Sequence, residues 1–349
     1  MQLQISDYRI LMITPFHKNP RGNTLTSERL KVGLCQRGWN IELISLESAN
    51  WQEILDKNLR EERYSLIHGL NITHFARVLS AFPNITRLPL LLTTTGTDVN
   101  YDLVLNHEPV IAKTLDAVRY IVIFNDYFKL IFQELYPDYS NKLVTIPQGV
   151  LLEKEDGPNR SQLELNENDF VFLLPSGIRP VKNLELAIDG LEKLQPEFPH
   201  LRLLILGTII DQEYSDRILK RIHALPWVIY PGEFPHRQMY SLLSVGDVVL
   251  NTSHAEGQPQ AALEAMSLGK PCLLTSVPGN INIIQNGVEG YYVHNQDDLV
   301  AAARNLMVNR ELRQQMGKNA RRLVEQKYSL KKELDAYEQL YNTLLISIK

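Results

Sequence analysis

Two glutamates in the second half of the chain stand at a spacing that could bind a ligand. Glu256 and Glu264 are separated by seven residues in the segment LNTSHAEGQPQAALEAMSLGKP. A strand-like run leads into a loop, and the pattern predicts a helix over residues 260–268 that is closed by Gly269 and followed by Pro271. Glu256 would then lie in the loop at the mouth of the helix, and Glu264 about one turn inside it.

The start of this predicted helix is suited to an anion. The first backbone N–H groups of a helix have no partner within it and carry the positive end of its dipole, so those of Gln260 and Ala261 could hold a phosphate oxygen. Glu264 has apolar helix neighbours, and a ligand with vicinal hydroxyls, such as a ribose, would satisfy its carboxylate. Glu256 could accept hydrogen bonds from a second polyol. Spacing alone favours the alternative in which Glu256 is a solvated loop residue and Glu264 an exposed helix charge.

Two cations follow the first predicted strand of the second half. The loop GIRPVKN, residues 177–183, contains Arg179 and Lys182. Two positive charges on one short loop suit a diphosphate that gains negative charge as a glycosidic bond breaks. Arginine and lysine after a strand are also commonly solvated, so the loop by itself leaves both interpretations open.

The first half contributes further candidates. The segment GNTLTSER follows the first predicted strand and opens a helix; Gly22 permits close backbone approach to a ligand, and Asn23 or Thr24 could cap the helix. Asp98, in the segment TGTDVN, could contact an acceptor hydroxyl or sugar, or could equally cap a helix. Four histidines could also line a cleft, although a lone histidine is more often structural or exposed: His17, His68, His74 and His254.

The passage around the two glutamates resembles the signature of the retaining glycosyltransferases of family 4. The resemblance continues through LEAMSLGKP, a PGN turn at residues 278–280 and NGVEGYYV. It implies the GT-B fold, an α/β architecture of two Rossmann-like domains whose parallel sheets face an interdomain cleft. It also implies that Glu256 contacts hydroxyls of the donor sugar, that Glu264 binds the nucleotide ribose, and that Arg179 and Lys182 meet the diphosphate.

The same resemblance implies further site residues. The loop and first turn of the helix meet the diphosphate and the sugar, and the turn in YPGEFPH borders the nucleotide base. The expected catalytic residues are Glu256, Arg179, Lys182 and Asp98. The expected donor-binding residues are Glu264, Gly257, Gln258, Gln260, Ala261, Gly22, Asn23 and Gly232. No metal ligand is expected, and the chain has no Asp-x-Asp motif, which agrees with metal-independent transfer.

Two motifs in the first half narrow the resemblance. GN-x-x-T-x-x-R and TGTD resemble the branch named glycosyltransferase 1 domain-containing, and also the selenosugar synthases of selenoneine pathways. Many family members have a histidine where this chain has Thr95. The expected function is retaining transfer of a sugar from a nucleotide diphosphate-sugar, with UDP as the expected nucleotide, to an unknown acceptor. Two alternatives stay open: a sugar-nucleotide-binding protein with little transferase activity, and a transferase with a selenium or sulfur oxyanion acceptor.

Composition bounds the remaining possibilities. The 349 residues carry a net charge of −4 with both signs dispersed, which gives no general attraction to nucleic acid. The two cysteines lack metal-ligand spacing, and the absence of a signal-like start or a spanning apolar run favours a cytoplasmic protein without a transmembrane segment. No G-x-G-x-x-G occurs, which counts against a dinucleotide-dependent dehydrogenase. The nucleotide-sugar is expected as substrate, with no cofactor; peripheral membrane contact and oligomeric state stay open.

Strand-like runs alternate with helical patterns in both halves, which favours two parallel sheets. The polar segment at residues 149–170 is predicted to be an exposed connection. The predicted domains are therefore residues 1–155, with a C-terminal helix over 329–349 crossing back onto them, and residues 166–328. The predicted strands cover residues 10–13, 41–46, 65–68, 88–93, 120–124, 143–146, 170–175, 202–206, 228–230, 248–251, 271–275 and 290–293.

Overall fold

Strands and helices alternate through the described part of the chain. The computed structural model describes residues 5–17, 22–61, 63–105 and 109–346. All twelve predicted strands are present there, and every predicted strand end lies within two residues of the observed one. The strands are β1 (Arg9–Thr14), β2 (Asn40–Ser45), β3 (Leu66–Leu70), β4 (Leu90–Thr93), β5 (Tyr120–Ile123), β6 (Leu143–Thr145), β7 (Phe170–Pro175), β8 (Leu201–Leu206), β9 (Val228–Ile229), β10 (Val248–Asn251), β11 (Cys272–Thr275) and β12 (Gly290–Val293).

Helices connect these strands, and several begin at side-chain caps. Asn71, Asp211 and Asn295 each accept a hydrogen bond from a backbone N–H in the following first turn, which satisfies an amide that the helix itself leaves unpaired. The α-helices are α1 (Gly22–Gln36), α2 (Trp51–Arg60), α3 (Ile72–Ala81), α4 (Leu103–Leu105), α5 (Pro109–Ala117), α6 (Tyr127–Leu135), α7 (Leu184–Glu192), α8 (Gln212–Ile222), α9 (Met239–Ser244), α10 (Gln260–Ser267), α11 (Gln296–Val308), α12 (Arg310–Lys327) and α13 (Leu330–Ile346).

The chain forms two compact units, and each contains one parallel sheet. The first unit comprises Met1–Gly149 and Leu330–Lys349, and its strands lie in the order β2-β1-β3-β4-β5-β6. The second unit comprises Val150–Ser329, and its strands lie in the order β12-β11-β10-β7-β8-β9. In both sheets the strand order reverses beside the first strand, as in doubly wound Rossmann-like domains. The predicted α/β class is confirmed. The sequence predicts a division between residues 155 and 166, whereas the structure divides the chain between Gly149 and Val150.

The segment that was predicted to be an exposed connection packs on the second unit instead. Leu163 and Leu165 are buried in the core of that unit. The Arg160 guanidinium donates hydrogen bonds to the main-chain oxygens of Asn166 and Asp169 at 3.0 and 2.6 Å. The segment is mostly polar but contains two apolar side chains two residues apart. Because both are buried, this part of the segment belongs to the second unit and is not an exposed linker.

The C-terminal helix α13 belongs to the first unit and packs beside α1. A Cβ at Gly33 of α1 would stand 2.6 Å from Cδ1 of Leu334 in α13, so a larger residue there would require the Leu334 side chain to shift. Both helices share one hydrophobic core with Ile10 and Met12 of β1. The apolar residues that predict this helix are all buried: Leu334, Tyr337, Leu340, Tyr341, Leu344 and Leu345.

The second unit buries both faces of its sheet. In β7, Phe172 and Leu174 belong to one hydrophobic core, and Val171 and Leu173 belong to the other. Burial on both faces explains why its strands read as continuous apolar runs rather than as alternating patterns. Among the residues described, no helix combines the length and the apolar content that crossing a bilayer requires.

Candidate functional site

Two loops adjoin at the carboxyl edge of the second sheet. They follow β7 and β10, which are parallel neighbours, so both loops leave the sheet side by side. The His254 N–H donates a hydrogen bond to the Val181 oxygen at 2.8 Å, and Thr252 Oγ1 donates to the Lys182 oxygen at 3.1 Å. Because α/β sheets of this kind bind ligands beyond the carboxyl ends of their strands, this edge is the expected position of a binding site.

Lys182 and Glu256, one from each loop, form a buried ion pair. Lys182 Nζ lies 2.6 Å from Glu256 Oε1, and the two side chains are 16% and 10% exposed. Asn251 Nδ2 and Ser253 Oγ donate to the same oxygen at 2.9 and 2.6 Å. Burial raises the pKa of the Glu256 carboxyl, but the Lys182 charge and the three hydrogen bonds outweigh it, so this pKa lies below its usual value. Glu256 is therefore an ionised and firmly held hydrogen-bond acceptor.

The PGN turn after β11 positions the main chain of Glu256. Gly279 has a φ of +84°, and a Cβ there would stand 2.0 Å from the Glu256 oxygen. The Glu256 N–H donates to the Pro278 oxygen at 3.1 Å. Asn280 is fully buried, and its Nδ2 donates to Asn251 Oδ1 at 3.0 Å. This turn thus supports both Glu256 and one of its hydrogen-bond donors.

The N-terminus of α10 differs in one respect from the prediction. The helix begins at Gln260, as predicted, but the Gln260 N–H donates to the Gln258 oxygen at 2.8 Å. The prediction that this amide is available to a phosphate is therefore wrong for this conformation, because the tight turn through Pro259 gives it a local partner. The Ala261 N–H has no hydrogen-bond partner among the described residues. Gly257 and Gln258 are buried next to this turn.

Glu264 lies within α10 with a histidine against it. Its side chain is 6% exposed, and Oε1 lies 3.0 Å from Nε2 of His236, whose side chain is 35% exposed. His236 begins a short 3-10 turn, His236–Gln238, directly before α9. Four residues earlier, Gly232 has a φ of +94° and open space at its Cβ position, so this turn favours glycine. The structure thus joins the YPGEFPH segment to the second glutamate.

Arg179 carries a buried guanidinium nitrogen that is not hydrogen-bonded to any of the described residues. It precedes the turn Pro180–Lys182 in an extended conformation. Its Nε is buried and has no hydrogen-bond partner among the described residues. A buried donor without a partner costs free energy and calls for a specific reason, such as a ligand or an ordered water. Arg179 is thus a cation prepared to meet an anion.

In the first unit, the motif after β1 begins its helix earlier than expected. α1 starts at Gly22, so Asn23 and Thr24 lie in its first turn, and the prediction that one of them caps the helix is wrong. The earlier start is stabilised by the Thr26 hydroxyl, which donates to the Gly22 oxygen at 2.8 Å. A Cβ at Gly22 would meet no atom within 4 Å. Donor contacts of Gly22 and Asn23 stay predictions.

Arg29, the last residue of this motif, attaches α13 to the first unit. Its Nε and Nη2 donate to Glu333 Oε2 and Oε1 at 2.9 and 2.8 Å, and the two side chains are 7% and 0% exposed. Nη2 also donates to Gln148 Oε1 at 3.1 Å, and Thr26 Oγ1 lies 2.7 Å from the same oxygen. The threonine and arginine of GN-x-x-T-x-x-R are therefore structural residues.

The Asp98 carboxylate is buried at the start of α3 and bonded to protein groups. It is fully buried, and its Oδ2 accepts a hydrogen bond at 2.9 Å from the N–H of Ile72, the first residue of α3. Its Oδ1 accepts from the N–H and Oγ1 of Thr95 at 2.7 and 3.0 Å. Burial raises the pKa of this carboxyl to about 6, although hydrogen bonds from Ile72 and Thr95 lower it. Of the two roles that the sequence permits, the structure supports the cap, so Asp98 is removed from the catalytic group.

His68 is likewise structural. Its ring is fully buried, with Nδ1 and Nε2 at 2.8 and 2.7 Å from the hydroxyl oxygens of Tyr341 and Thr93. Burial lowers the pKa of the ring to about 3, so the imidazole is neutral. His68 therefore joins β3, β4 and α13 through hydrogen bonds.

Three polar residues of the site were not among the expected site residues, although they lie within the quoted segments. Asn251 and Ser253 hold Glu256, and His236 contacts Glu264. Asn251 ends β10 and Ser253 lies two residues further, and polar residues at the end of a buried parallel strand are a usable signal. His236 gives no such signal, because it lies 28 residues from Glu264 in the sequence.

Residues 156–323 match the model of the family described as glycosyl transferases group 1. The match includes both loops, α10 and the PGN turn. This part of the chain is similar to group 1 glycosyltransferase domains, and the chain as a whole is an α/β protein with the GT-B fold.

One similar protein is a glycosyltransferase 1 domain-containing protein 1 from Xenopus tropicalis, which is 25% identical over 93% of this chain and 95% of that relative. N-acetyl-alpha-D-glucosaminyl L-malate synthase of Bacillus anthracis is also 25% identical, over 83% of this chain and 71% of the enzyme. The first relative spans both units, so the likeness is not confined to the second one.

Two solved structures have the same fold. HepE of Anabaena, in complex with UDP and glucose, matches with a TM-score of 0.79 and 17% identity over 96% of this chain and 100% of that chain. Sucrose-phosphate synthase of Thermosynechococcus elongatus matches with a TM-score of 0.81 and 16% identity over 97% of this chain and 100% of that chain.

Proposed function

We propose that this protein transfers a sugar from a UDP-sugar to an acceptor, with retention of the anomeric configuration and without a metal ion. The observation that carries the proposal is the pair of buried carboxylates in the second unit. Glu256 is held ionised by Lys182, and Glu264 lies one turn inside α10. Two fixed acceptors with cations nearby suit a ligand that has hydroxyls at both ends and a diphosphate between them.

Each part of the donor has a matching group. Glu264 would accept hydrogen bonds from the ribose hydroxyls, and Glu256 from the hydroxyls of the sugar. The Arg179 Nε and the Ala261 N–H, neither of which has a hydrogen-bond partner in the described part of the chain, would donate to the diphosphate. An ammonium has three donors, so Lys182 can bind Glu256 and a phosphate oxygen together. The structure of HepE with UDP supports a uridine donor for this chain.

These groups suit front-face substitution. The bond between the anomeric carbon and the phosphate oxygen breaks, and the acceptor oxygen forms its bond on the same face. The acceptor proton passes to the departing phosphate, which leaves as UDP. Arg179, Lys182 and the N-terminus of α10 stabilise the charge that develops on the phosphate, so positive protein groups supply what a metal ion would otherwise provide.

Donor binding and turnover test the proposal separately. UDP-, GDP- and ADP-sugars would be compared by thermal shift, because a ligand specific to the native state raises the unfolding temperature. UDP release would then be followed with acceptors that include alcohols, hydroxy acids and selenophosphate, in the presence and absence of EDTA. The anomeric configuration of the product would be read by NMR. We expect binding of UDP-sugars, retained configuration and no effect of EDTA.

Three results would contradict parts of this proposal. An inverted product would exclude retention, and loss of activity in EDTA would exclude metal independence. If UDP-sugars bind while UDP release stays at background with every acceptor, the protein is a sugar-nucleotide-binding protein. The arrangement around Thr95 gives this alternative a specific basis, because its side chain is buried and bonded to Asp98 and Asn71 rather than directed to a ligand.

A further inference from the structure

His236 is the only histidine bonded to a carboxylate of the candidate site in the part of the chain that the structure describes. Its Nε2 lies 3.0 Å from Glu264 Oε1. An ionised carboxylate only accepts hydrogen bonds, so Nε2 is the donor. This contact concerns the glutamate assigned above to the ribose, and it is independent of the Lys182–Glu256 pair.

Packing on both sides holds His236 in place. Phe234 packs against the core of the second unit, and the following helix α9 is anchored there by the fully buried Leu242 and Leu243. The imidazole therefore sits on a short segment that is fixed at both ends. A histidine held in this way can restrict the rotation of the Glu264 carboxylate.

The geometry leaves Glu264 able to bind a diol. Its Oε1 accepts a hydrogen bond from His236 Nε2. Each carboxylate oxygen has two acceptor positions, so both oxygens can still bind a ligand hydroxyl. Among the described residues, no side chain is bonded to Oε2. We propose that His236 is a positioning residue for nucleotide binding, which fixes the Glu264 carboxylate through Oε1 so that it accepts hydrogen bonds from the vicinal hydroxyls of the donor ribose. This inference rests on the proposed function.

Comparison of UDP with 2′-deoxy-UDP tests this role directly, because the two ligands differ only in one ribose hydroxyl. Affinities would be measured by calorimetry for the wild type, His236→Phe, His236→Gln and the control His223→Phe. His223 is exposed at the end of α8, outside the site. We expect His236→Phe to lower the affinity for UDP by about tenfold and the affinity for 2′-deoxy-UDP by much less. The preference for UDP over 2′-deoxy-UDP should therefore fall. His236→Gln, which keeps an N–H donor, should retain part of the preference, and His223→Phe all of it.

The outcomes separate the two levels of the proposal. If the wild type binds both nucleotides equally, Glu264 does not contact the 2′-hydroxyl of the ribose, and the proposed role of His236 is contradicted as well. A wild type that prefers UDP, with the preference unchanged in His236→Phe, would overturn the role of His236 alone. Tighter UDP binding by His236→Phe would also overturn it, since His236 would then compete with the ribose. Should His236→Phe fail to fold, His236→Ala provides the same comparison.

Discussion

The Lys182 ammonium and the Glu256 carboxylate, 74 positions apart in the sequence, lie 2.6 Å from each other. Lys182→Met removes the largest influence that lowers the pKa of Glu256 and leaves burial, which raises it. We expect kcat to fall by about 10²- to 10³-fold, and its acid limb to move to higher pH, because Glu256 becomes protonated more readily.

The kcat would be measured from pH 5 to 8. Lys193→Met is the matched control, since Lys193 forms an ion pair with Asp297 at a half-exposed position. An unshifted acid limb in Lys182→Met would show that Lys182 does not govern the ionisation of Glu256.

The two glutamates should respond differently to neutral replacements. Glu264→Gln removes a charged acceptor of the ribose, so we expect UDP affinity to fall by about 10- to 100-fold. Glu256→Gln should leave UDP affinity nearly unchanged, because UDP has no sugar at that end, while it lowers kcat. Calorimetry with UDP and initial rates with the full donor check both. If both variants keep wild-type affinity and rates, the site assignment is wrong.

Gly279→Ala should damage the site more than the fold. The added Cβ would stand 2.0 Å from the Glu256 oxygen, and the φ of +84° is strained for alanine. The loop must move, so we expect a drop in kcat of at least about tenfold, of the kind that small misplacement of a catalytic group produces. Gly287→Ala is the control, since it has a φ of +82° but open space at its Cβ position. Equal losses in both variants would point to backbone strain instead of displacement of Glu256.

The Arg29–Glu333 pair should matter to the stability of the first unit. Arg29→Met leaves the Glu333 carboxylate buried and unpaired, which we expect to cost about 3 to 5 kcal/mol. Arg29→Met with Glu333→Leu should recover much of this, because no charge stays buried. Urea unfolding would be followed by the fluorescence of Trp39, which bonds to Glu338 of α13, with the two other tryptophans replaced.

Arg60→Met is the control for this measurement, because Arg60 forms an exposed pair with Asp56 on α2 and such pairs contribute little. A double variant as unstable as Arg29→Met would show that the loss does not come from the unpaired carboxylate.

The buried His68 makes part of the stability depend on pH. Its pKa is about 3 in the native protein and 6.5 in the unfolded chain. Below pH 6.5 the unfolded state therefore binds the additional proton, and the stability contributed by His68 falls by about 1.4 kcal/mol for each pH unit. The difference in unfolding free energy between the wild type and His68→Gln should shrink accordingly from pH 6.5 to 4.5. A constant difference would mean that His68 is protonated in the native state.

The fold was predictable because its signals are local. Strands buried on both faces give apolar runs such as β7 and β10, and the turn residues around α10 mark its ends, with Gly269 at a positive φ just after it. These features depend on neighbouring residues alone. The sequence therefore predicts the elements and the two-sheet architecture without any knowledge of tertiary contacts.

The partners within the site were not predictable in the same way. Lys182 with Glu256, and His236 with Glu264, meet across 74 and 28 positions, and no local pattern encodes such pairs. Asp98 differs in the other direction. Its position in a motif suggested a contact with a ligand, whereas its carboxylate accepts a hydrogen bond from the first N–H of α3. Side-chain roles depend on which groups the fold brings together.

Because α13 belongs to the first unit, that unit consists of two segments that flank the second unit in the sequence. β1 precedes Val150–Ser329 in the sequence and Leu330–Ile346 follows it, yet β1 and Leu330–Ile346 share one hydrophobic core. The second unit, Val150–Ser329, is complete before α13 exists, and its ends are tied by the hydrogen bond from the Val150 N–H to the Tyr328 oxygen at 2.8 Å. The first unit is therefore discontinuous in sequence, and its hydrophobic core is completed only by residues that are synthesised after the whole of the second unit.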